Sequence, residues 1–390
     1  MLQSEILDLI NHFKNEPYKI FPSDSPKSSH ANIKMCAEAL GMTVKNEDRY
    51  TELYEGEQFV GFINKLHPHT TQNIAYRICN DKYLTELFLK TAGYETFNSC
   101  LAHVTEYEKA KEYAEKLNGP FVVKPLALNA GDGITADITI EDFDQAWSYC
   151  FEAQRKKRKR LKYSLIQPYF KGIDLRVMIV HGRFVSAVLR LPAFIVGDGI
   201  NTVENLVNNK NKLRKDHLTA KSIKITDTTY QLLKKQHLST SSIPEKDRTV
   251  LLHTANNLSL GGESIEVSDH ITEELKRFCA DSVKAIPGLT TAGIDVMIKD
   301  FSAHSGLIME ANINPNPNVH EFPQKGGQKH PVRELVHGLY ELFKYQQRRA
   351  DYDHEFIERY TRLIFEKETI TNKQMVNKEV IEYLKSTLEI

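Results

Sequence analysis

Two short apolar runs near residue 300 each lead to an acidic residue, and this pattern restricts how the chain can fold. The run Thr291–Ile298 reads TAGIDVMI and holds one carboxylate, Asp295, among apolar neighbours. A second run, 306–309, leads directly into Glu310. Both runs are typical of buried strands, in which an uncompensated carboxylate is costly. Hydrogen bonding explains either acid alone, but for the two together we favour a bound divalent metal.

A second candidate site is the stretch 121–135, FVVKPLALNAGDGIT. Its β-branched and aromatic start predicts a strand that delivers Lys124, and the following loop contains Asn129, Gly131 and Gly133. A lysine beside free backbone N–H groups suits a ligand that carries phosphates. The alternative is a β-hairpin with a glycine turn and a surface lysine, and the stretch alone favours that alternative.

The composition indicates a globular protein large enough for two or three subdomains. The chain has 390 residues, of which 41% are hydrophobic and 26% are charged, so disorder is not expected. Basic and acidic residues number 51 each, which leaves no net field to attract nucleic acid or a membrane surface. No run is long enough to span a bilayer, and the five cysteines lack CxxC spacing. We therefore expect a cytoplasmic protein with neither a nucleic-acid nor a membrane partner.

Periodicity and turn residues predict the order of the elements. In the hairpin 174–189, alternation places Asp174 and Arg176 on one face. The remaining predicted elements are helices over 31–40, 81–91, 103–117, 140–153 and 271–285, a hairpin over 54–63 and a strand over 163–170.

Two basic features have more than one interpretation. Lys82 lies in the first turn of the predicted helix 81–91, where a cation opposes the helix dipole. It is either a solvated side chain or a lysine placed to meet an anion. The run 155–160, RKKRKR, matches a nucleic-acid patch or targeting signal, but without interleaved aromatic residues a solvated helix end is favoured.

The order of these motifs resembles the ATP-grasp superfamily of carboxylate–amine ligases over roughly residues 81–345. Within it, the chain is similar to cyanophycin synthetases and to the ATP-grasp half of bifunctional glutathione synthetases. The narrower likeness is carried by RLPAFIVGDGINTVENLV (190–207), NNLSLGGESIEVSD (256–269), AGIDVMI (292–298) and EANINPNPNVHEFPQKG (310–326). It implies an α+β fold in which two α+β lobes, about 100–170 and 171–345, enclose ATP. An N-terminal α/β region (1–80) precedes them and a helical tail (346–390) follows.

The resemblance also implies a set of contacts with ATP and metal. Lys82 and Lys124 would meet the phosphates, while the loop with Asn129, Gly131 and Gly133 closes over them. The other implied contacts are the backbone of 167–170 (Gln167, Tyr169 and Phe170) with adenine and Asp174 with the ribose. Asp295, Glu310 and Asn312 would bind two Mg²⁺ ions, for which Mn²⁺ can substitute.

The implied reaction is ATP-dependent amide formation. A carboxylate attacks the γ-phosphate to give an acylphosphate and ADP, and an amine then displaces the phosphate. Arg176, Arg190 and Lys124 are the candidate catalytic residues, because guanidinium and ammonium groups stabilise the transferring phosphoryl group. The expected substrates are amino acids or small peptides, and relatives suggest a homodimer or homotetramer. A kinase without an amine step and a nucleotide-binding regulatory protein are the alternatives on this fold.

The residues of the substrate pocket are less clearly marked. The candidates are His253, Asn257, Gly261, Gly262, His320 and Lys325. Position 253 departs from the pattern, since the relatives usually show arginine ahead of the NxSxGG loop. Residues 1–80 resemble neither the N-terminal domain of cyanophycin synthetases nor a glutamate–cysteine ligase domain. Neither cyanophycin nor glutathione synthesis therefore follows from the resemblance.

Overall fold

The structure is a computed structural model that describes residues 3–47, 50–128, 131–157, 162–254, 256–374 and 377–388. Its helices are α1 (Gln3–Phe13), α2 (Ser29–Glu38), α3 (Asn73–Cys79), α4 (Lys82–Thr91), α5 (Tyr107–Lys116), α6 (Phe143–Lys156), α7 (Val203–Arg214), α8 (Asp227–Lys235), α9 (Glu273–Ser282), α10 (Asn318–Glu321), α11 (Pro331–Gln346), α12 (His354–Gln374) and α13 (Lys378–Leu388). Its strands are β1 (Thr43–Asn46), β2 (Thr51–Glu55), β3 (Gln58–Asn64), β4 (His67–Pro68), β5 (Cys100–His103), β6 (Phe121–Pro125), β7 (Thr135–Ile138), β8 (Tyr163–Pro168), β9 (Ile173–Val180), β10 (Arg183–Leu191), β11 (Phe194–Val196), β12 (Thr249–Leu251), β13 (Glu263–Glu266), β14 (Ala292–Ile298) and β15 (Leu307–Asn312). The α+β class is confirmed.

Three antiparallel sheets and a two-stranded ribbon organise the described chain. The N-terminal sheet has the order β1-β2-β3-β4, and the second sheet has the order β5-β8-β6-β7. The central sheet has the order β13-β10-β9-β14-β15, and β11 pairs with β12 alone. The two strands that carry Asp295 and Glu310 are therefore neighbours in the central sheet, as the sequence predicted.

One face of the central sheet is apolar. The other face is apolar in one half and carries charged residues in the other half. On β9, Leu175 and Val177 point into the largest core, which α1, α4 and α9 complete. The alternate positions differ along the strand. Met178 packs into a second core with α2 and α11, whereas Asp174 and Arg176 carry charge. The apolar half of this face is covered by helices, and its polar half is left for a site.

Most predicted elements are confirmed, and one helix begins later than expected. The hairpins at 54–63 and 174–189 form, with turns at 56–57 and 181–182. The helix expected over 103–117 spans only Tyr107–Lys116, because His103 is the last residue of β5 and pairs with Tyr163 of β8. Strand pairing with a distant segment overrides the helical pattern there. The basic run 155–160 ends α6 at Lys156, and residues 158–160 lie outside the described residues.

The C-terminal helices pack against the element that carries Lys82. The side chain of Gln374 on α12 donates to the carbonyl of Phe88 on α4 at 3.1 Å. On α13, the hydroxyl of Tyr383 donates to Asp81, the N-cap of α4, at 2.6 Å. The tail thus braces α4, although the division of the chain at 80 and 345 stays a prediction. In the described part of the chain, the helices all fall short of the length and hydropathy that a membrane span requires.

Candidate active site

The polar half of the central sheet gathers six of the predicted site residues. Antiparallel pairing places Arg176 opposite Asp295, and Asp295 opposite Glu310. Since alternate residues of a strand share a face, the neighbouring strands contribute the others. The six residues are Asp174, Arg176, Arg190, Asp295, Glu310 and Asn312.

Two arginines hold two of the carboxylates on this face. The guanidinium of Arg176 grips both oxygens of Asp295, with Nη2 at 2.8 Å from Oδ2. Arg190 Nη2 lies 2.7 and 2.8 Å from the two oxygens of Asp174 and 3.5 Å from Asp295. Gly293 makes room for this arrangement, because an added Cβ would lie only 3.2 Å from Nη1 of Arg176. Arg190 Nε is buried and has no hydrogen-bond partner among the described residues.

Glu310 is stabilised as an ion from several sides. Asn312 Nδ2 donates to its Oε1 at 2.9 Å, and Lys82 Nζ lies 3.7 Å from its Oε2. Burial alone would raise the pKa of Glu310, but Lys82, Asn312 and other neighbours outweigh burial and lower the pKa to about 2. This carboxylate is therefore negative at every physiological pH.

Asp295 is compensated by guanidinium groups, which the sequence analysis did not expect. Burial raises the pKa of Asp295 to about 6, while Arg176 and Arg190 act to lower it, so the group is ionised at neutral pH. The inference that two buried acids require a metal was therefore incomplete, because arginines from β9 and β10 already compensate Asp295.

The expected metal ligands nevertheless form a suitable donor set. Asp295, Glu310 and Asn312 provide carboxylate and amide oxygens on two adjacent strands, and Mg²⁺ prefers such ligands. The described residues contain no cluster of three or more His, Cys, Asp or Glu side chains arranged to hold a metal. A metal site with three side-chain ligands from this face would therefore need the amide oxygen of Asn312 as its third ligand.

Lys124 is a buried cation rather than a surface lysine. It lies on β6 and is 8% exposed, with Nζ 5.9 Å from the ring centroid of Phe97. Burial and the nearby charge of Lys82 lower the pKa of Lys124 to about 8, although Glu86 and Glu310 act in the opposite direction. Burying a charged lysine is costly, so an anionic ligand beside Lys124 would stabilise its charged form. The surface-lysine interpretation of this stretch is excluded.

The glycine loop after β6 connects the two parts of the site. Lys82 Nζ donates to the carbonyl of Leu128 at 3.1 Å, so one lysine contacts both the loop and Glu310. Gly131 and Gly133 both have positive φ, at 84° and 74°, and a Cβ on Gly133 would lie 2.8 Å from Ala153. Asn129 lies outside the described residues.

The expected adenine contacts are partly engaged within the chain. Tyr169 donates its backbone N–H to the carbonyl of Pro120 at 2.9 Å. Gln167 forms a buried network instead, in which its Nε2 donates to Ser99 Oγ at 2.5 Å and lies 3.4 Å from Glu86 Oε2. Phe170 is half-buried beyond the end of β8. The role of these residues in reading a purine stays a prediction.

Four candidate substrate residues lie on or near the 256–262 loop, and their side chains make local contacts. His253 Nε2 lies 3.2 Å from the carbonyl of Lys224, and Asn257 accepts hydrogen bonds from Ser259 at 2.7 and 2.9 Å. Gly261 has a φ of 92°, and a Cβ on Gly262 would lie 2.5 Å from the carbonyl oxygen of Leu191. Gly262 therefore allows the loop to pack tightly against β10, and Gly261 allows close contact with Ile223, where a Cβ would lie 2.7 Å away.

His320 lies behind the arginines and Lys325 lies elsewhere. The ring Nδ1 of His320 is 2.6 Å from Ser186 Oγ, and burial together with Arg176 and Arg190 lowers the pKa of His320 to about 3. Lys325 instead directs Nζ to the carbonyl of Phe13 at 3.0 Å, away from the six-residue group. The structure does not bring Lys325 together with the residues on the polar face.

A buried cluster of charged residues holds the 256–262 loop in place. Glu263 is fully buried and lies 2.5 Å from Lys210 Nζ, 3.2 Å from Lys325 Nζ and 3.7 Å from Arg214 Nη2. Arg214 also donates to the carbonyls of Gly261 and Gly262, at 2.6 and 3.1 Å. We call Glu263, Lys210, Lys325 and Arg214 the Glu263 cluster.

Sequence reasoning missed the Glu263 cluster and the partners of Gln167. The sequence weakly indicated that Glu86 is buried, because it stands between Leu84 and Leu87 on the buried side of α4. Nothing in the sequence indicated that Arg214 is buried, because the surrounding KNKLRKD is typical of a solvated helix end.

Comparisons with known proteins identify relatives of this arrangement. Residues 90–243 match the family model of the ATP-grasp domain of prokaryotic glutathione synthetase. The bifunctional glutathione biosynthesis protein GshAB of Enterococcus faecalis is 29% identical over 313 residues, which are 75% of this chain and 39% of that protein. The cyanophycin synthetase of Nostoc sp. is 31% identical over 255 residues, which are 63% of this chain and 27% of that protein.

A solved structure extends the likeness to three dimensions. The bifunctional glutathione synthetase of Pasteurella multocida superposes with a TM-score of 0.61 at 26% identity, over 81% of this chain and 45% of that one. The chain therefore spans less than half the length of these relatives. The ATP-grasp fold expected from the motif order is confirmed.

Proposed function

The chain carries an ATP-grasp domain similar to those of glutathione and cyanophycin synthetases, and on this premise we propose that it is an ATP-dependent carboxylate–amine ligase. It would join the carboxylate of an amino acid or small peptide to an amine and release ADP and phosphate. The observation that carries the proposal is the convergence of Lys82, Lys124, Arg176 and Arg190 with three oxygen ligands around one polar face. Four cations at one face suit a substrate that is a polyphosphate and an intermediate that is an acylphosphate.

The nucleotide would lie between the glycine loop and the central sheet. Lys82 Nζ lies 3.7 Å from Glu310 Oε2, and the charges of Lys82 and Glu310 both act on Lys124, so the two ammonium groups would be available to the phosphates. Asp174 would accept from the ribose hydroxyls, which requires that it share or release Arg190. Asp295, Glu310 and Asn312 would hold Mg²⁺, or Mn²⁺ in its place, and two ions are expected. When bound, the metal neutralises phosphate charge and orients the γ-phosphoryl group.

In the first step, Lys124 and the arginines would stabilise the charge that develops on the transferring phosphoryl group. The pKa of Lys124, about 8, keeps this amine largely protonated at neutral pH, and a bound polyphosphate would raise that pKa further. Among the described residues, no group accepts a hydrogen bond from Arg190 Nε. This donor would therefore be free to bind a phosphoryl oxygen. The carboxylate oxygen attacks the γ-phosphorus, and the bond to the ADP oxygen breaks.

In the second step, Arg176 and Arg190 would grip the acylphosphate while the amine attacks its carbonyl carbon. A guanidinium binds two oxygens at once, so it holds the phosphate both before and after it leaves. Closure of the 126–134 loop would exclude water, which otherwise hydrolyses the acylphosphate. His253, Asn257, Gly261, Gly262 and His320 would shape the pocket indirectly, through packing and local hydrogen bonds.

We further propose the setting in which this reaction takes place. The protein would act in the cytoplasm on small molecules, without nucleic-acid or membrane partners, as a homodimer or homotetramer. Size-exclusion chromatography with light scattering tests the assembly, since a monomer at micromolar concentration contradicts it.

Product analysis tests the reaction. The purified protein is incubated with ATP, Mg²⁺ and pooled amino acids and dipeptides, and ADP, phosphate and new masses are measured. A ligase releases phosphate only when both a carboxylate and an amine substrate are present, and an amide product appears. Phosphate release without an amine, or a stable phosphorylated product, would contradict the proposal and favour a kinase.

A pair of variants tests the metal assignment. Glu310→Ala removes one expected ligand and should abolish turnover and weaken binding of Mn²⁺ in the presence of ADP. The control is Glu358→Ala, which removes an exposed acid that pairs with Arg362 on α12. Near-normal turnover and Mn²⁺ binding in Glu310→Ala would refute the assignment.

A further inference from the structure

A second charged cavity lies at the opposite end of the β9–β10 hairpin from the polar face. It has a volume of about 610 Å³ and is lined by the turn from His181 to Val185 and by parts of α9 and α12. Arg176 and Asp174 lie four and six residues before the end of β9. At ~3.3 Å per residue, the hairpin turn that lines the cavity is therefore roughly 13–20 Å from these polar-face residues. Its volume falls in the range of small-molecule sites.

The lining of this cavity has an excess of positive charge. Lysine and arginine side chains outnumber aspartate and glutamate side chains by seven to four. Five of the seven cations have acidic partners within 4 Å, and these are Lys276, Arg277, Lys284, Lys329 and Arg362. Arg183 and Arg359 are the remaining two, and the described residues include no ion-pair partner for either.

Arg359 is the more informative of these two residues. Its Nε is buried without a hydrogen-bond partner in the described structure, and its guanidinium carbon lies 5.5 Å from the ring centroid of Phe356. Arg183 and Arg359 line the same cavity. Burial and the positive charge of Arg183 lower the pKa of Arg359, although Glu355, Asp353 and Glu334 act in the opposite direction. A buried donor without a partner destabilises the free protein, so a ligand that accepts its hydrogen bond is favoured.

His181 adds a second unsatisfied group to the same cavity. It is 3% exposed, its Nε2 lies 3.1 Å from the carbonyl of Leu335, and its buried Nδ1 has no partner in the described structure. With its other nitrogen donating to a carbonyl, Nδ1 is an acceptor. A ligand that brings both anionic oxygens and a hydroxyl would match Arg183, Arg359 and the buried acceptor of His181.

We propose that this cavity is a binding site for a phosphate group, held between Arg183 and Arg359. Two neighbouring guanidinium groups present two positive charges, and one phosphate dianion neutralises both. Its oxygens can accept from both forks, whereas a single carboxylate brings one charge and two oxygens. The group can belong to inorganic phosphate or to a small phosphomonoester with a hydroxyl for His181. The site does not depend on the proposed ligase activity.

Calorimetric titration with two probes tests the site. Inorganic phosphate and glycerol 3-phosphate are titrated at constant ionic strength into the wild type and into the double variant Arg183→Ala/Arg359→Ala. We expect saturable binding that the double variant weakens by about tenfold or more. Tighter binding of glycerol 3-phosphate identifies a phosphomonoester as the ligand, and equal or weaker binding identifies inorganic phosphate.

Matched controls separate this site from general charge effects. Arg277→Ala/Arg362→Ala removes two arginines that line the same cavity but are already paired, so binding should stay within about twofold of the wild type. Arg183→Ala alone, at an exposed position, should weaken binding even if the double variant proves unstable. The proposal is overturned by absent saturable binding, by equal losses in both double variants, or by binding that the loss of Arg183 leaves unchanged. Malonate binding as tight as phosphate would overturn the phosphate assignment.

Discussion

The Glu263 cluster provides a quantitative test of how this fold is held together. Replacing Glu263 by Gln keeps the shape of the side chain but removes the only negative charge of the cluster. Lys210, Lys325 and Arg214 then remain buried without a counter-charge. Breaking a buried pair in this way typically costs about 3–5 kcal/mol.

The pKa of Glu263 gives a second estimate of the same magnitude. Burial alone would raise this pKa, but Lys210 and Lys325 lower it from 4.5 to about 2. A depression of this size corresponds to roughly 3 kcal/mol of favourable interaction with the ionised form. Because the folded pKa is depressed, this stability is present above pH 4.5 and is lost as the pH falls toward 2. We therefore expect Glu263→Gln to destabilise the protein by about 3–4 kcal/mol at pH 7.

Equilibrium urea unfolding followed by circular dichroism at pH 7 measures the effect. The control is Glu273→Gln, the same substitution at an exposed acid whose oxygen lies 2.7 Å from Lys276. Exposed pairs contribute about 0–1 kcal/mol, so the control should be nearly neutral. Adding Lys210→Met to Glu263→Gln should recover part of the loss. A loss below about 1 kcal/mol for Glu263→Gln, or equal losses in both Gln variants, would refute this interpretation.

Three further predictions concern other sites. Lys124→Met should reduce kcat/KM for ATP by on the order of 100-fold or more while the thermal melt is retained, and a loss below about threefold would contradict its role. Gly133→Ala should lower Tm more than Gly131→Ala, since both have positive φ but only the former places a Cβ 2.8 Å from Ala153, and scanning calorimetry compares them. Burial lowers the pKa of His181 to about 4, so the unfolded chain binds more protons between pH 4 and 6.5. Stability should therefore fall on acidification, by about 2 kcal/mol from pH 6.5 to 5 for this group, and urea unfolding should show a smaller pH slope in His181→Gln.

Local patterns were sufficient to predict the frame of the site. Alternation in the 174–189 hairpin placed Asp174 and Arg176 on one face, and the apolar runs placed Asp295 and Glu310 on buried strands. Each of these inferences depends on the two-residue period of a strand, which a short window of sequence displays. The order of the motifs along the chain indicated the likeness to known families, and that likeness implied the ATP-grasp fold.

Long-range contacts could not be predicted from such windows. Arg176 grips Asp295 although 119 positions separate them, and the sequence analysis did not predict this compensation by a guanidinium group. Lys325 contacts the carbonyl of Phe13 across 312 positions, which directs its side chain away from the polar face, and its role in the substrate pocket stays a prediction. The onset of α5 shifted for the same reason, because His103 pairs with a strand that comes much later in the chain. Tertiary pairing decides these positions, and local preference does not encode it.

The central claim is that a carboxylate becomes an acylphosphate on the polar face of the central sheet. Isotope transfer tests it most directly. Substrate pools whose carboxylates carry ¹⁸O are incubated with ATP, Mg²⁺ and the protein, and the released phosphate is analysed by mass spectrometry. The account predicts one ¹⁸O atom in each phosphate released, because the carboxylate oxygen that attacks the γ-phosphorus leaves with it. Phosphate released without ¹⁸O during amide formation would contradict the account.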